Sequence, residues 1–247
     1  MKLLFLGTAG YHPNEQRQTT CLMLPEAGIV LDAGTGLFRI RDHLQTAALD
    51  IFLSHAHLDH TFGLTVLLDA LYEKDVQRVT VHGERAKLAA IEQHLFAPEI
   101  FPVAAPFVSR PIEQGLRLAC GARVTHFPLD HPGGSIGYRF DWPDRSLAFV
   151  TDTTSTGDAS PYLSHIRGVD LLVHECNFRD GQELWAEKTG HSSTTPVARA
   201  AAAAGVKRLV LMHFNPLETG DDPVGLAAAR AIFPATELAY DGMAVEF

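Results

Sequence analysis

The sequence predicts an α/β (α+β) protein built from two mixed β-sheets packed between helices. Three observations predict it. Short apolar runs of strand length alternate with amphipathic stretches of helix length. Many neighbouring strands are joined by hairpin-length connections, which a purely parallel sheet lacks. Five apolar strands run directly into His, Asp or Glu, and in mixed α/β proteins the C-terminal strand edge is where loops collect a site.

The elements follow in order. Lys2 to Leu6 reads as a strand, and Thr20 to Leu24 with Ile29 to Asp32 as a hairpin around Pro25 and Gly28. Leu37 to Leu44 reads as a short helix, Asp50 to Leu53 as a buried strand, and Phe62 to Tyr72 as a helix. Arg78 to His82 is a strand and Glu84 to Phe96 a helix. Pro98 to Pro111 is proline-dense and reads as a connection. A strand-rich part follows: Leu116 to Ala119, Arg123 to Leu129, Ile136 to Phe140 and Leu147 to Thr151. Helix Pro161 to Ile166, strand Asp170 to Val173, helix Thr195 to Ala204, strand Arg208 to Met212 and helix Pro223 to Ile232 precede a last pair of short strands. The alanine run Ala200 to Ala204 lies within a good helical pattern.

With 247 residues the chain is one large domain or two small ones. A hydrophobic content of 46% with 20% charged residues excludes a disordered or fibrous chain. The 20 basic residues are scattered against 29 acidic ones, giving a net charge of −9, so no clustered basic footprint exists for gripping long nucleic acid. Cys21, Cys120 and Cys176 are too few and too dispersed for a disulfide framework or a thiolate metal site. The apolar run Leu3 to Leu6 is too short for a signal-peptide core, and no run reaches the ~18 apolar residues of a membrane span. The expectation is a cytoplasmic protein with no membrane partner.

The chemistry is carried by where the 13 histidines fall. Strand 49–53 runs into Ser54-His55-Ala56-His57-Leu58-Asp59-His60. Others run into Asp130-His131, Thr151-Asp152, His174-Glu175 and His213. On an extended backbone positions i and i+2 point to the same side, so His55 and His57 converge on one cation. Asp59 and His60, further along a tight turn, face a second. A catalytic zinc takes about three protein ligands and an open position. The missing ligands come from other strand ends, where His131, Asp152 and His213 are available. His12 lies on a loop within reach of a substrate. His43, His94 and His165 read as solvated positions and His82 and His126 as strand or rim residues. Asp32, followed by Ala33-Gly34-Thr35-Gly36, reads as a turn carboxylate able to orient a ligand histidine.

The segment His55-Ala56-His57-Leu58-Asp59-His60 resembles the signature of the metallo-β-lactamase superfamily. A later His131, Asp152 and His213 fall in that family's order, and the likeness runs from Gly7-Thr8-Ala9-Gly10 to the final strands. The resemblance implies a single domain over 1–247 with a four-layer αββα sandwich. It implies two divalent metal ions: His55, His57 and His131 on one, Asp59, His60 and His213 on the other, and Asp152 bridging. Imidazole and carboxylate suit Zn2+, and manganese and iron accept the same donors.

Two further segments resemble the ribonuclease Z and phosphodiesterase branch: His131-Pro132-Gly133-Gly134-Ser135-Ile136-Gly137-Tyr138-Arg139-Phe140, and the pair His174-Glu175 with His191-Ser192. The resemblance implies that His191 is the general acid and Glu175 its orienter, with Asp59 binding metal and orienting the nucleophile. His174 would lie behind them as a hydrogen-bonding residue. One departure stands out. Bacterial tRNA-processing members carry a long arm between the positions matching His131 and Asp152, and here that interval reads as two strands and a turn. A partner subunit, as in a homodimer, is one way to supply an arm.

The implied activity is a dinuclear metal-dependent hydrolase, a phosphodiesterase using a metal-bridging hydroxide on small phosphodiesters or short RNA ends. Two divalent ions, two carboxylates and one hydroxide leave about one positive charge, enough to draw an anionic ester into an acidic protein. The alternatives are a hydrolase of the same fold cleaving a lactone, thioester or β-lactam, which the His-Glu and His-Ser motifs disfavour, and a non-catalytic metal-stabilised binding protein, which the complete ligand set disfavours.

Overall fold

A computed structural model describes residues 1–113 and 115–247. Its contacts gather into two compact units. The first comprises Met1–Glu113 and Tyr240–Glu246, and the second holds the described residues from there to Ala239 together with Phe247.

The first unit is built on a seven-stranded sheet. Its strands are β1 (Lys2–Gly7), β2 (Cys21–Leu24), β3 (Ile29–Leu31), β4 (Ala48–Phe52), β5 (Arg78–Gly83) and β6 (Val108–Pro111), closed by the last strand of the chain, β14 (Ala244–Glu246). The order is β14-β1-β2-β3-β4-β5-β6. The pairs from β14 to β3 are antiparallel and those from β3 to β6 parallel. Register pairs Leu31 with Phe52 and Phe52 with His82, so β3 and β4 end side by side. Pro111 sits on the edge strand, where a missing N–H breaks no ladder. One core cluster draws Leu4, Leu6, Met23, Val30, Ile51 and Val81 from the strands and Leu37, Leu64, Leu67 and Leu88 from the helical segments.

The helix expected over Phe62 to Tyr72 is broken. It consists of α1 (Leu58–Thr61), a 3-10 stretch Phe62–Val66 and α2 (Leu67–Ala70). Gly63 donates its N–H to Ala33 O at 2.7 Å, so the chain is bonded to the turn after β3 rather than to its own preceding carbonyls. A Cβ at Gly63 would meet Gly34 O and Ala33 O, which only glycine avoids. The helix expected from Glu84 widens too. After α3 (Arg85–Ala90) the turn Ile91–Leu95 is π-type, with Phe96 stacked edge-on to Phe101 and Phe107. The helix expected over Leu37 to Leu44 is a 3-10 helix, Thr35–Asp42.

The second unit carries the other seven strands: β7 (Leu116–Arg117), β8 (Arg123–Leu129), β9 (Ser135–Asp141), β10 (Ser146–Val150), β11 (Leu171–Glu175), β12 (Leu209–Met212) and β13 (Thr236–Leu238). They lie in the order β13-β12-β11-β10-β9-β8-β7, parallel from β13 to β10 and antiparallel from β10 to β7. Its helices are α4 (Leu163–Ile166), α5 (Glu183–Thr189), α6 (Thr194–Ala204) and α7 (Leu226–Ile232). In α6, Val197, Ala198, Ala200, Ala201 and Ala204 are buried while Arg199, Ala202 and Ala203 are exposed, so the alanine run forms one apolar face on the sheet. It packs in a cluster with Ala148, Val150, Leu172, Leu209 and Leu211. Each fully buried Val or Leu there contributes about 1.5–3 kcal/mol. The helix α5 was not expected from the sequence: only Ala186 of its seven residues is buried, so no apolar period marks it.

No helix among the described residues is long and apolar enough to cross a membrane.

Candidate functional site

In the first unit the parallel strands deliver Asp32 after β3 and Ser54-His55 after β4, and α1 begins at once with His57 at its N-cap. Asp32 is wholly buried. Its Oδ1 accepts the Ser54 N–H at 2.7 Å, and its Oδ2 accepts the Ser54 hydroxyl at 2.8 Å and His60 Nδ1–H at 2.7 Å. Because the Ser54 hydroxyl proton goes to Asp32, Ser54 Oγ accepts from His55 Nδ1–H at 2.9 Å. One carboxylate therefore fixes two imidazoles in the tautomer that keeps Nε2 unprotonated. The ring centroids of His57 and His60 each lie 4.3 Å from that of His55. His57 is exposed, and ligand atoms of His55 and His57 lie within 4.8 Å of each other. Asp59 Oδ2 accepts the Tyr11 N–H at 2.7 Å and lies 3.2 Å from His60 Nε2.

In the second unit His131 follows β8, Asp152 follows β10, Glu175 ends β11, and His213 follows β12. The parallel register aligns Val150 with His174 and Glu175 with Met212, so these strands finish level. His131 donates Nδ1–H to Gly190 O at 2.8 Å. Its Nε2 lies 3.5 Å from Asp152 Oδ2, and His213 Nε2 lies 3.2 Å from Asp152 Oδ1. The two oxygens of Asp152 thus serve two different histidines.

These distances test whether a metal fits. With Nδ1 donating, His60 and His131 each point an unprotonated nitrogen at a carboxylate oxygen. Two acceptors face each other at 3.2 and 3.5 Å, an arrangement that asks for a cation between them. Ligands about 2.0–2.1 Å from a tetrahedral zinc lie about 3.3 Å from one another. The donor set of each unit fits divalent metal ions.

Glu175 has a different environment. It is wholly buried, its Oε1 accepts the N–H groups of Thr153 at 3.1 Å and Ser192 at 3.0 Å, and its Oε2 accepts Asn177 N–H at 3.1 Å. Oε1 also takes His191 Nδ1–H at 3.2 Å. With these donors around it, Glu175 is a hydrogen-bonded anchor for His191. The His191 ring lies 5.1 Å from that of His131 and 5.2 Å from that of His213. Behind Glu175, His174 Nδ1–H donates to Glu175 O at 2.7 Å, so Nε2 accepts the Tyr162 hydroxyl at 2.8 Å. Burial lowers the pKa of His174 and pushes that of Tyr162 up to about 12, which keeps both neutral.

Backbone strain collects here. The described residues include five non-glycine residues with positive φ, and Asp32 (54°), Asp152 (44°) and His213 (60°) are three of them. Each lies just past a strand end, where a left-handed conformation costs energy that surrounding structure must offset. Tyr11 (58°), bonded to Asp59, is a fourth.

Each unit therefore gathers its own predicted residues: His55, His57, Asp59 and His60 in the first, and His131, Asp152, His213, Glu175 and His191 in the second. His82 pairs instead with Asp50 at 2.7 Å, and His94 and His165 are exposed. The sequence reading missed Ser54, the Gly190 carbonyl and the Tyr11 N–H. Ser54 alone left a signal, as a hydroxyl beside the first histidine of the motif.

A family model for the β-lactamase superfamily domain matches residues 28–214. Ribonuclease BN of Erwinia tasmaniensis is 28% identical over 308 aligned residues, covering 98% of each chain. That aligned length exceeds the 247 residues here, so the relative carries stretches that this chain lacks. Among solved structures, the metallo-β-lactamase fold protein YhfI of Bacillus subtilis superposes with a TM-score of 0.81 at 20% identity, over 99% of both chains. The short form of human tRNase Z superposes with a TM-score of 0.77 at 21% identity, over 100% of this chain and 99% of its own. With its two mixed seven-stranded sheets and its flanking helices, the chain has the metallo-β-lactamase fold and belongs to the β-lactamase superfamily.

Proposed function

We propose that this protein is a dinuclear metal-dependent phosphodiesterase acting on small phosphodiesters or the ends of short RNA. The observation that carries the reading is the pair of buried Glu175 and half-buried His191, a held proton donor within 5.2 Å, ring to ring, of His213. The two histidine clusters would serve a common pair of divalent ions. His55, His57 and His131 would hold one and Asp59, His60 and His213 the other. Asp152, whose two oxygens already address His131 and His213, would be shared between them. Zinc suits the imidazole-rich set.

The ions supply a water acidic enough to attack at neutral pH, and positive charge for the transition state. The remaining chemistry belongs to the chain. Asp32 and Ser54 hold His60 and His55 with Nε2 forward. Tyr11 N–H holds Asp59. Glu175 fixes His191 Nδ1 as a donor and stabilises its imidazolium form, so that Nε2–H is the proton delivered to the leaving alkoxide. Ribonuclease BN and tRNase Z are ribonucleases by name, which supports phosphodiester chemistry here. The segments by which ribonuclease BN exceeds this chain, and the net charge of −9, favour small esters over a folded RNA body. Three free thiols suit a reducing cytoplasm.

The test is hydrolysis of bis(p-nitrophenyl) phosphate by protein stripped of metal and reloaded with zinc or manganese. Metal-dependent turnover that is lost in Asp152→Ala is expected. Two bound metals without turnover would overturn the reading and send the search to lactones and thioesters.

A further inference from the structure

The loop between β1 and β2 presents an aromatic pair that the reaction just described does not use. Tyr11 is 81% exposed, and its ring stands edge-on to His12 at 5.6 Å. An exposed tyrosine on a mobile loop would mean little, but this loop is tied down along its length. Ala9 N–H donates to Gln18 O at 2.9 Å and Asn14 N–H to Arg17 O at 2.9 Å. Asn14 Oδ1 accepts the N–H groups of Gln16 at 2.9 Å and Arg17 at 2.8 Å. Asp241 clamps the base through the Thr8 hydroxyl at 2.8 Å and the Gln18 N–H at 2.7 Å. At the tip, Tyr11 keeps a positive φ of 58° while its N–H bonds Asp59, a proposed metal ligand, at 2.7 Å. His12 Nδ1–H donates to Pro13 O at 2.8 Å, which fixes its ring as well.

Tyr11 and His12 wall a cavity of about 640 Å3 whose other sides are Ala56, His57, Leu58 and Asp59. Two of those residues are proposed metal ligands. Leu58 is 66% exposed and adds an apolar side. Preformed aromatic and apolar walls beside the reacting centre are the arrangement that binds a flat ring by stacking. A ring carried by the ester can therefore lie against Tyr11 while its phosphate sits at His57 and Asp59.

We propose that Tyr11 and His12 form a stacking platform for a planar aromatic group, a nucleobase in particular, carried by the phosphodiester. This rests on the phosphodiesterase reading above. Tyr11 and His12 are therefore specificity-determining: they select esters that carry a ring.

The experiment compares two esters with the same leaving group on metal-loaded protein, thymidine 5′-(p-nitrophenyl phosphate) and methyl p-nitrophenyl phosphate. The wild type should favour the thymidine ester about tenfold in kcat/KM, mainly through KM, the size of one base–aromatic stack. Tyr11→Ala should bring the ratio of the two esters close to one, whereas Tyr11→Phe, which keeps the ring, should preserve it. A ratio near one in the wild type, or a preference that survives Tyr11→Ala, overturns the proposal. If neither ester is turned over, the phosphodiesterase reading has failed, and calorimetric binding of thymidine 5′-monophosphate then decides the platform by itself. Affinity about tenfold weaker in Tyr11→Ala supports it, and equal affinity refutes it.

Discussion

Replacing Asp32 by Asn changes one buried oxygen into an amide nitrogen, and the hydrogen-bond chain around it fixes the consequence. The backbone tolerates the change, because Asp32 has φ 54° and Asn adopts that region readily. If the amide nitrogen faces the Ser54 N–H, two donors meet in a fully buried place. If it faces Ser54 Oγ and His60 Nδ1, both must become acceptors. His60 then carries its proton on Nε2. The Ser54 hydroxyl turns to His55 Nδ1, and His55 carries its proton on Nε2 too. Both imidazoles would present N–H where a metal needs a lone pair. Altering such supporting groups typically weakens metal binding 10- to 100-fold, or about 1.4–2.8 kcal/mol. The metal-free protein also loses a charge-assisted hydrogen bond, worth about 1.5–3 kcal/mol. Competition with a chromophoric chelator measures the first quantity and urea unfolding of metal-free protein the second. A folded Asp32→Asn variant that binds metal within threefold of the wild type would refute the tautomer argument.

Other outcomes follow from the same geometry. His191→Ala should keep its metal but lose about 10²–10⁴-fold in turnover, with Glu175→Gln lying between the two; bound metal with unchanged turnover would remove the assigned role. Gly190→Ala should destabilise the protein by about 1–3 kcal/mol in urea unfolding, because φ is 76° and the new Cβ would sit 2.9 Å from His131 Nδ1 and against Pro132. His174 is held neutral by burial, with its pKa lowered from 6.5, so below about that pH the unfolded chain takes up a proton that the folded protein refuses. Stability should therefore fall as pH drops from 7 to 5, and His174→Gln should make the fall shallower by up to about 1.4 kcal/mol per pH unit; parallel curves would contradict this. Burial pushes the Cys21 and Cys176 thiols up, while Cys120 is only half-buried, so a thiol reagent at pH 8 should label one cysteine in the native protein and three in urea.

The sequence by itself determined the strands that matter and what ends them. Strand runs of three to six residues that lead into a histidine or carboxylate are local facts, and a strand's direction carries its last side chain to one edge. That brought His55, His57, Asp59, His60, His131, Asp152 and His213 forward as candidate metal ligands without coordinates. Local pattern could not show which carbonyls compete for a backbone. The helix expected from Phe62 to Tyr72 broke because Gly63 bonds to Ala33, thirty residues earlier. Nor could periodicity reveal α5, whose exposed residues follow no apolar stripe and whose end is set by Gly190 in the left-handed region. Tertiary structure alone decided the protons. Asp32 lies 22 residues from Ser54 and 28 from His60, and only folding closes the chain that sets two imidazole tautomers. The Glu175–His191 contact and the Gly190–His131 contact were fixed in the same way. Which residues qualify as candidate ligands is a property of residue type and strand end. Ligand readiness depends on hydrogen bonds between distant segments, and those exist only once the chain has folded.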